Sequence, residues 1–342
     1  MAKNTGRTSH FLISFSDFII IIAGLKLASG FIVPILLAVF FAIICLPIFH
    51  FFCKKGVPSW LALVIVFLLI VIIIGAVGVL IGSSVQGFSS NLPAYQKKLY
   101  TLAEKSFTLA TKLGIKLPEK KLLNLFNPGV LVKYIATSLK SFGNVMSNSF
   151  FVILFVIFVL LESSTFSKKL AHVAKTPTKV SYFETFFNDV THYMALKTFT
   201  SLATGFCVSL LLLILGVDFA FLWGLAAFLL NFIPTIGSLI AAIPAILMAL
   251  VQFGIGRTII VAIGYAIINL LIGNVVEPKL MGKKLGLSTL IVFMSLIFWG
   301  WVFGPVGMFL SVPLTMVVKI ALDSQEETRW IAVMLSNDIE DT

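Results

Sequence analysis

The chain has only 14 acidic residues in 342, and one of them, Glu277, sits at the end of a long apolar run with Asn269 and Asn274 just before it. A carboxylate at the edge of a bilayer is costly to keep there, so it is a natural place for a coupling proton or cation. The competing reading is an interfacial ion pair with Lys279 or Lys283. A second group of residues would act through the backbone. Residues 219–253 read FAFLWGLAAFLLNFIPTIGSLIAAIPAILMALVQF, with Pro234, Gly237 and Pro244 inside the apolar run. Residues 298–314 read FWGWVFGPVGMFLSVPL, with Gly304, Pro305, Gly307 and Pro313 similarly placed. Proline lacks an N–H and clashes with the preceding turn, so each motif is expected to break its helix.

Backbone groups freed in a membrane must be buried in protein or line a wet cavity. Paired broken segments therefore point to a solute site, because the ends of half-helices present partial charges. The candidate solute-binding residues are Asn231, Pro234, Thr235, Gly237 and Ser238 at the first break, Gly304, Pro305 and Gly307 at the second, and Asn269 and Asn274 between them. The half-helix starts are expected to converge on the solute, with Glu277 as the candidate for a coupling ion or proton. Both segments also share a Trp-Gly pair (Trp223-Gly224 and Trp299-Gly300), although the offsets to the later features differ by six or seven residues.

The elements that must hold these residues are membrane helices. The sequence is 59% hydrophobic and 11% charged, with a mean hydropathy of +1.08. A soluble domain needs roughly 25% charged residues to cover itself. Apolar stretches of 18 or more residues recur, each long enough for a hydrocarbon core of about 30 Å. The pattern predicts an all-α polytopic bundle of about eight membrane segments, two of them broken by Pro and Gly. Spans are expected at 11–28, 31–52, 60–83, 149–161, 200–216 and 257–276, with the long segments 219–253 and 287–318 making up the count.

Four regions follow: three N-terminal spans (1–83), an extramembrane helical insertion (84–147), a C-terminal membrane bundle (148–322) and a cytoplasmic tail (323–342). In the insertion, Asn91 and Pro93 look like a helix start. Leu92, Tyr95, Leu99 and Leu102 then form an amphipathic stripe, and Asn127-Pro128 opens a second helix. Nine lysines against two glutamates across 92–146 read as a solvated face. Residues 177–197 read as a helix lying along the membrane surface. Gly75, Gly78 and Gly82 put small residues on related faces of the third span, for helix packing within one subunit or between subunits.

The net charge of +11 resides in loops, where it orients the chain and meets anionic headgroups; nucleic-acid partners are not expected. Lys3, Arg7, Lys54, Lys55, Lys168 and Lys169 share a parity that places the N-terminus in the cytoplasm. The N-terminal apolar run reads as a retained signal anchor. Cys45, Cys53 and Cys207 lie in apolar segments without metal-site spacing. The four histidines lie at segment ends without an H-E-x-x-H, and there is no nucleotide-binding loop. No catalytic residue, metal or cofactor is assigned.

The C-terminal motifs resemble those of the autoinducer-2 exporter (AI-2E) family. The matching pieces are F-I-P-x-I-G…I-P at Phe232–Pro244, the Asn274–Gly282 element containing Glu277-Pro278, and the closing G-x-x-G-x-x-x-x-x-P at Gly304–Pro313. Where the family has L-x-P after its glycine, this chain has Leu287-Ser288-Thr289. The resemblance implies a bacterial inner-membrane exporter of a small polar solute, homo-oligomeric, with autoinducer-2 or sodium–proton exchange among the family's activities. The alternative is a non-transporting scaffold or channel that binds through its extramembrane insertion.

Overall fold

The computed structural model describes residues 16–17, 19–112, 151–162, 177–281, 287–323 and 326–336, and every regular element among them is helical. The second insertion helix, Lys168, Lys169, Lys283 and the last residues of the tail lie outside the described residues. Among the described residues, five helices are by length and composition apolar enough to cross a bilayer: Ser29–Lys54, Ser59–Lys98, Asn188–Leu215, Ile255–Leu280 and Thr289–Phe309, the last interrupted at Gly304, whose backbone is not helical. Three shorter apolar helices, Phe151–Glu162, Ala220–Leu230 and Gly237–Phe253, complete the set. Among its described residues this polytopic α-helical chain thus has eight apolar helices, but their borders differ from the expected spans in four places.

The first is near the N-terminus. Residues 19–27 are helical and lead directly into α1, Ser29–Lys54. Ala28 N donates to Gly24 O at 2.9 Å and Ile32 N to Ala28 O at 3.0 Å, so the chain does not reverse at Ser29-Gly30. Ile22, Leu25, Ile32, Val33 and Leu36 accordingly pack on one cluster around Trp299, Val302 and Phe303.

The second is at Pro93, which starts no helix. The helix α2, Ser59–Lys112, runs through it for 54 residues, about 81 Å at 1.5 Å per residue. Asn91 does not cap; its Nδ2 donates back to Gly87 O at 3.0 Å. Third, the expected surface helix and fifth span are one element, α3, Pro177–Leu215: no Gly or Pro separates them, and the Thr198 and Thr200 hydroxyls donate back to Met194 O and Lys197 O instead of capping a new start.

Fourth, segment 219–253 is two helices, α4 (Ala220–Leu230) and α5 (Gly237–Phe253), packed on each other. The tight turn between them carries Thr235 at φ 60°. Within it Ile233 N donates to Leu230 O at 2.9 Å, Ile236 N to Pro234 O at 2.6 Å and Gly237 N to Ile233 O at 3.2 Å. Pro244, by contrast, sits inside α5 without ending it. A proline breaks the helix here only where an adjacent residue also takes a left-handed conformation.

The chain divides into two compact units. One comprises the residues up to Lys54, Phe151–Thr191 and Leu285 onward; the other comprises Lys55–Phe150 and His192–Lys284. The first contains α6 (Thr289–Phe309), which packs on α1 and on α7 (Ser311–Asp323); α7 in turn carries the short α8 (Arg329–Leu335). The core of the second is built around Trp223, Leu222, Leu212, Met248, Val261 and Tyr265, with Phe88 and Tyr95 of α2 packed in.

Candidate functional site

In each unit one of the two Pro/Gly-broken segments folds back on itself. In the second unit, a Cβ on Gly237 would overlap the Leu230 carbonyl oxygen and come within 3.1 Å of Ile233 Cβ. In the first, a Cβ on Gly307 would overlap the Trp299 carbonyl and come within 2.9 Å of Phe303 Cβ. Residues seven or eight apart on a straight helix are separated by more than 10 Å, so both breaks turn the chain back on itself. A positive φ makes each turn: Thr235 in one, Gly304 at φ 66° in the other. The Trp-Gly pairs are not equivalent. Trp299 supplies the carbonyl that Gly307 approaches, and Leu230 holds that place in the other turn. Trp223 lies an additional seven residues back, with Nε1 donating to Asp218 O at 3.1 Å.

The polar residues of the second unit gather on one face of α3. Lys197, Thr200, Ser201 and Thr204 follow helical spacing, and all are buried. Lys197 Nζ reaches Glu277 Oε1 at 2.6 Å, with side-chain exposures of 6% and 18%. One turn on, Ser201 Oγ accepts from Asn231 Nδ2 at 3.0 Å. Tyr193, one turn before Lys197, is also buried. Thr200 and Thr204 donate to carbonyls of their own helix, Lys197 O at 3.2 Å and Thr200 O at 2.9 Å.

Two contacts set the neighbouring helix, α9 (Ile255–Asn269), antiparallel to α3. Leu211 fills the space in front of Gly264, where a Cβ would lie 2.5 Å from it, and Lys197 meets Glu277 beyond the far end of α9. The hairpin arm α4 crosses α3 at Gly205 and Gly224, where a Cβ on either would come within 2.7 Å of the other's carbonyl oxygen. Only glycines allow such an approach.

Of the expected site residues, Asn231 and Glu277 are thus brought to the same face of α3. Pro234 and Ser238 are half-buried and Thr235 is exposed at the hairpin turn. Asn269 is half-buried, whereas Asn274 is exposed on the opposite side of its helix. Glu277 forms an ion pair, but with Lys197 rather than with Lys279. Gly304, Pro305 and Gly307 belong to the reversal of the other unit, which also holds Trp299 Nε1 bonded to Thr315 Oγ1 at 3.0 Å. Sequence reasoning missed Lys197, Thr200, Ser201 and Thr204.

The second unit thus holds a part-buried Lys–Glu pair flanked by hydroxyls and an amide. Residues 15–327 match the sequence pattern of the AI-2E family transporters. The chain belongs to this family. It is 42% identical over 337 residues to a putative transport protein of Haemophilus influenzae, covering 96% of this chain and 97% of the relative. It is 39% identical over 320 residues to the AI-2 transport protein TqsA of Escherichia coli, covering 93% of each. It is 34% identical over 327 residues to the putative transport protein YhhT of Escherichia coli, covering 95% and 94%. This AI-2E protein is accordingly a multi-pass membrane transporter rather than an enzyme.

Proposed function

We propose that this transporter is a secondary active exporter of a small polar solute, autoinducer-2 or a similar small metabolite, with Glu277 as the place of the coupling proton or ion. The Lys197–Glu277 pair is the observation that carries this reading. A buried ion pair adds little or no net stability over apolar packing, and each charge costs a helix about 2.5–3.5 kcal/mol on insertion. Such a pair is retained for what it does. With Glu277 charged, Lys197 is held; a proton on the carboxylate frees the ammonium. That changes the charge of the face that also carries Ser201 and Asn231.

Solute contact is assigned to Asn231, Pro234, Thr235, Gly237 and Ser238, with Asn269 and Asn274 further along. The start of α5 has no side-chain cap, which leaves backbone N–H groups to offer a polar ligand. The turn at Gly304, Pro305 and Gly307 is assigned the same role in its own unit. The basic loops support a cytoplasmic N-terminus in the bacterial inner membrane. Gly75 and Gly82 support a homo-oligomer: among the described residues nothing lies within 4 Å of where their Cβ atoms would be, which leaves that face of α2 open to a second subunit.

Proteoliposomes loaded with autoinducer-2 and given a pH gradient test the proposal. Glu277→Gln should abolish gradient-driven movement, and Gly237→Leu should abolish movement of any kind. Undiminished gradient-driven transport by Glu277→Gln overturns the coupling role. If Gly237→Leu and Asn274→Ala both transport normally, the solute site is misassigned. Sodium–proton exchange would draw on the same pair, and appears in this assay as a sodium-dependent pH change without autoinducer-2.

A further inference from the structure

The helix that carries Glu277 changes its winding just before it. After α9 the backbone opens into a π segment, Leu270–Val276, and then resumes as α10, Glu277–Met281. A π turn closes its hydrogen bonds five residues apart instead of four, so it holds an extra residue that an α-helix would not. The burial pattern records that residue. Val261 and Tyr265 are buried, and α winding continued for eleven residues beyond Tyr265 would bring Val276 onto the same face. Val276 is exposed instead, and Glu277 turns in to Lys197.

The phase agrees. In α geometry each residue turns the helix by about 100°, so twelve steps would leave Glu277 roughly 120° from the buried Tyr265. With one residue absorbed by the π segment, eleven steps leave it about 20° away, on the same face. Gly273 lies inside the widened turn, where a Cβ would come within 3.3 Å of Asn269 Oδ1.

We propose that the π segment positions Glu277, and that its rewinding into α-helix withdraws the carboxylate from Lys197 during transport. The rewinding changes the hydrogen-bond register by one residue and turns Glu277 by about 100°, with no change in α3. The inference rests on the coupling role of the pair proposed above. It makes Asn269 and Gly273 positioning residues, and it gives the proton-dependent step a defined motion.

Deleting Ile272 tests it. The deletion removes the extra residue, so a plain α-helix keeps Glu277 in phase with Lys197 but leaves no register to rewind into. Two measurements are made on the full chain. In a background lacking Cys45, Cys53 and Cys207, a short bifunctional thiol reagent should bridge Lys197→Cys and Glu277→Cys with or without the deletion. In proteoliposomes the deletion, with both charges present, should slow gradient-driven autoinducer-2 movement at least tenfold. Parental transport by the deletion variant, or loss of the bridge, overturns the inference.

Gly273→Ala keeps the chain length and favours α winding by about fivefold. It should shift the pH dependence of transport, and an unshifted profile also counts against the π segment. Glu277→Gln separates the two claims. If it transports normally, the role of the pair fails. If it is inactive while the Ile272 deletion is active, only the role of the π segment fails.

Discussion

Neutralising Glu277 alone should damage the protein more than removing the whole ion pair. Glu277→Gln leaves the Lys197 ammonium, whose side chain is 6% exposed, without its carboxylate. Stranding one member of a buried pair costs about 3–5 kcal/mol. Lys197→Met strands the carboxylate instead, but at 18% exposure that group retains some access to solvent, so the cost should fall at or below the lower end of that range. The double variant strands nothing and should lie within about 1 kcal/mol of the parent, since well-packed neutral replacements of buried pairs are often neutral or stabilising. The cycle therefore predicts a coupling energy of roughly 3 kcal/mol or more, against the few tenths expected of independent sites. Reversible unfolding in mixed micelles of dodecylmaltoside and sodium dodecyl sulfate measures all four proteins. If the two single effects add to within about 0.5 kcal/mol of the double, the charges do not meet as described.

Other substitutions test the surrounding construction by the same unfolding assay. Gly237→Ala and Gly307→Ala should each cost several kcal/mol, because backbone must shift to clear a carbonyl; Gly256→Ala, which meets nothing within 4 Å, should be neutral or stabilising by up to about 1 kcal/mol. Thr235→Gly should stabilise the hairpin by about 1 kcal/mol, since φ 60° costs an ordinary residue about that much. Tyr95→Phe removes the 2.7 Å bond from the tyrosine hydroxyl to Asp218 Oδ2 and should cost about 1.5–3 kcal/mol, with faster hydrogen exchange around residues 88–98.

What the sequence revealed was what depends on local chemistry. Apolar length marked the membrane segments, and proline beside glycine marked both reversals. The scarcity of acids drew attention to Glu277. Its partner was hidden because Lys197 comes at the end of a stretch with enough polar residues to read as a surface helix. The signal that would have found it is the spacing of Lys197, Thr200, Ser201 and Thr204, one polar stripe running into an otherwise apolar helix. Pro93 misled because a long apolar helix can run through a single proline: α2 continues past it, and Asn91 bonds back to Gly87 O instead of capping a new start. Asn274 looked suited to a site, but a hydrogen-bond register has no residue signature. The π segment that turns Glu277 inward could be seen only in the backbone.

The hairpin tip at 231–237 has a consequence for movement. Five of its seven residues donate backbone hydrogen bonds to carbonyls of the same hairpin, and a sixth, Pro234, has no N–H to place. The tip therefore relies little on its surroundings to satisfy its backbone N–H groups. A loop that depended on neighbouring groups would have to exchange partners whenever it shifted, at a cost of several kcal/mol for each group left bare in hydrocarbon. This one takes most of its donors along when it shifts, so fewer of its N–H groups need a new partner at each position.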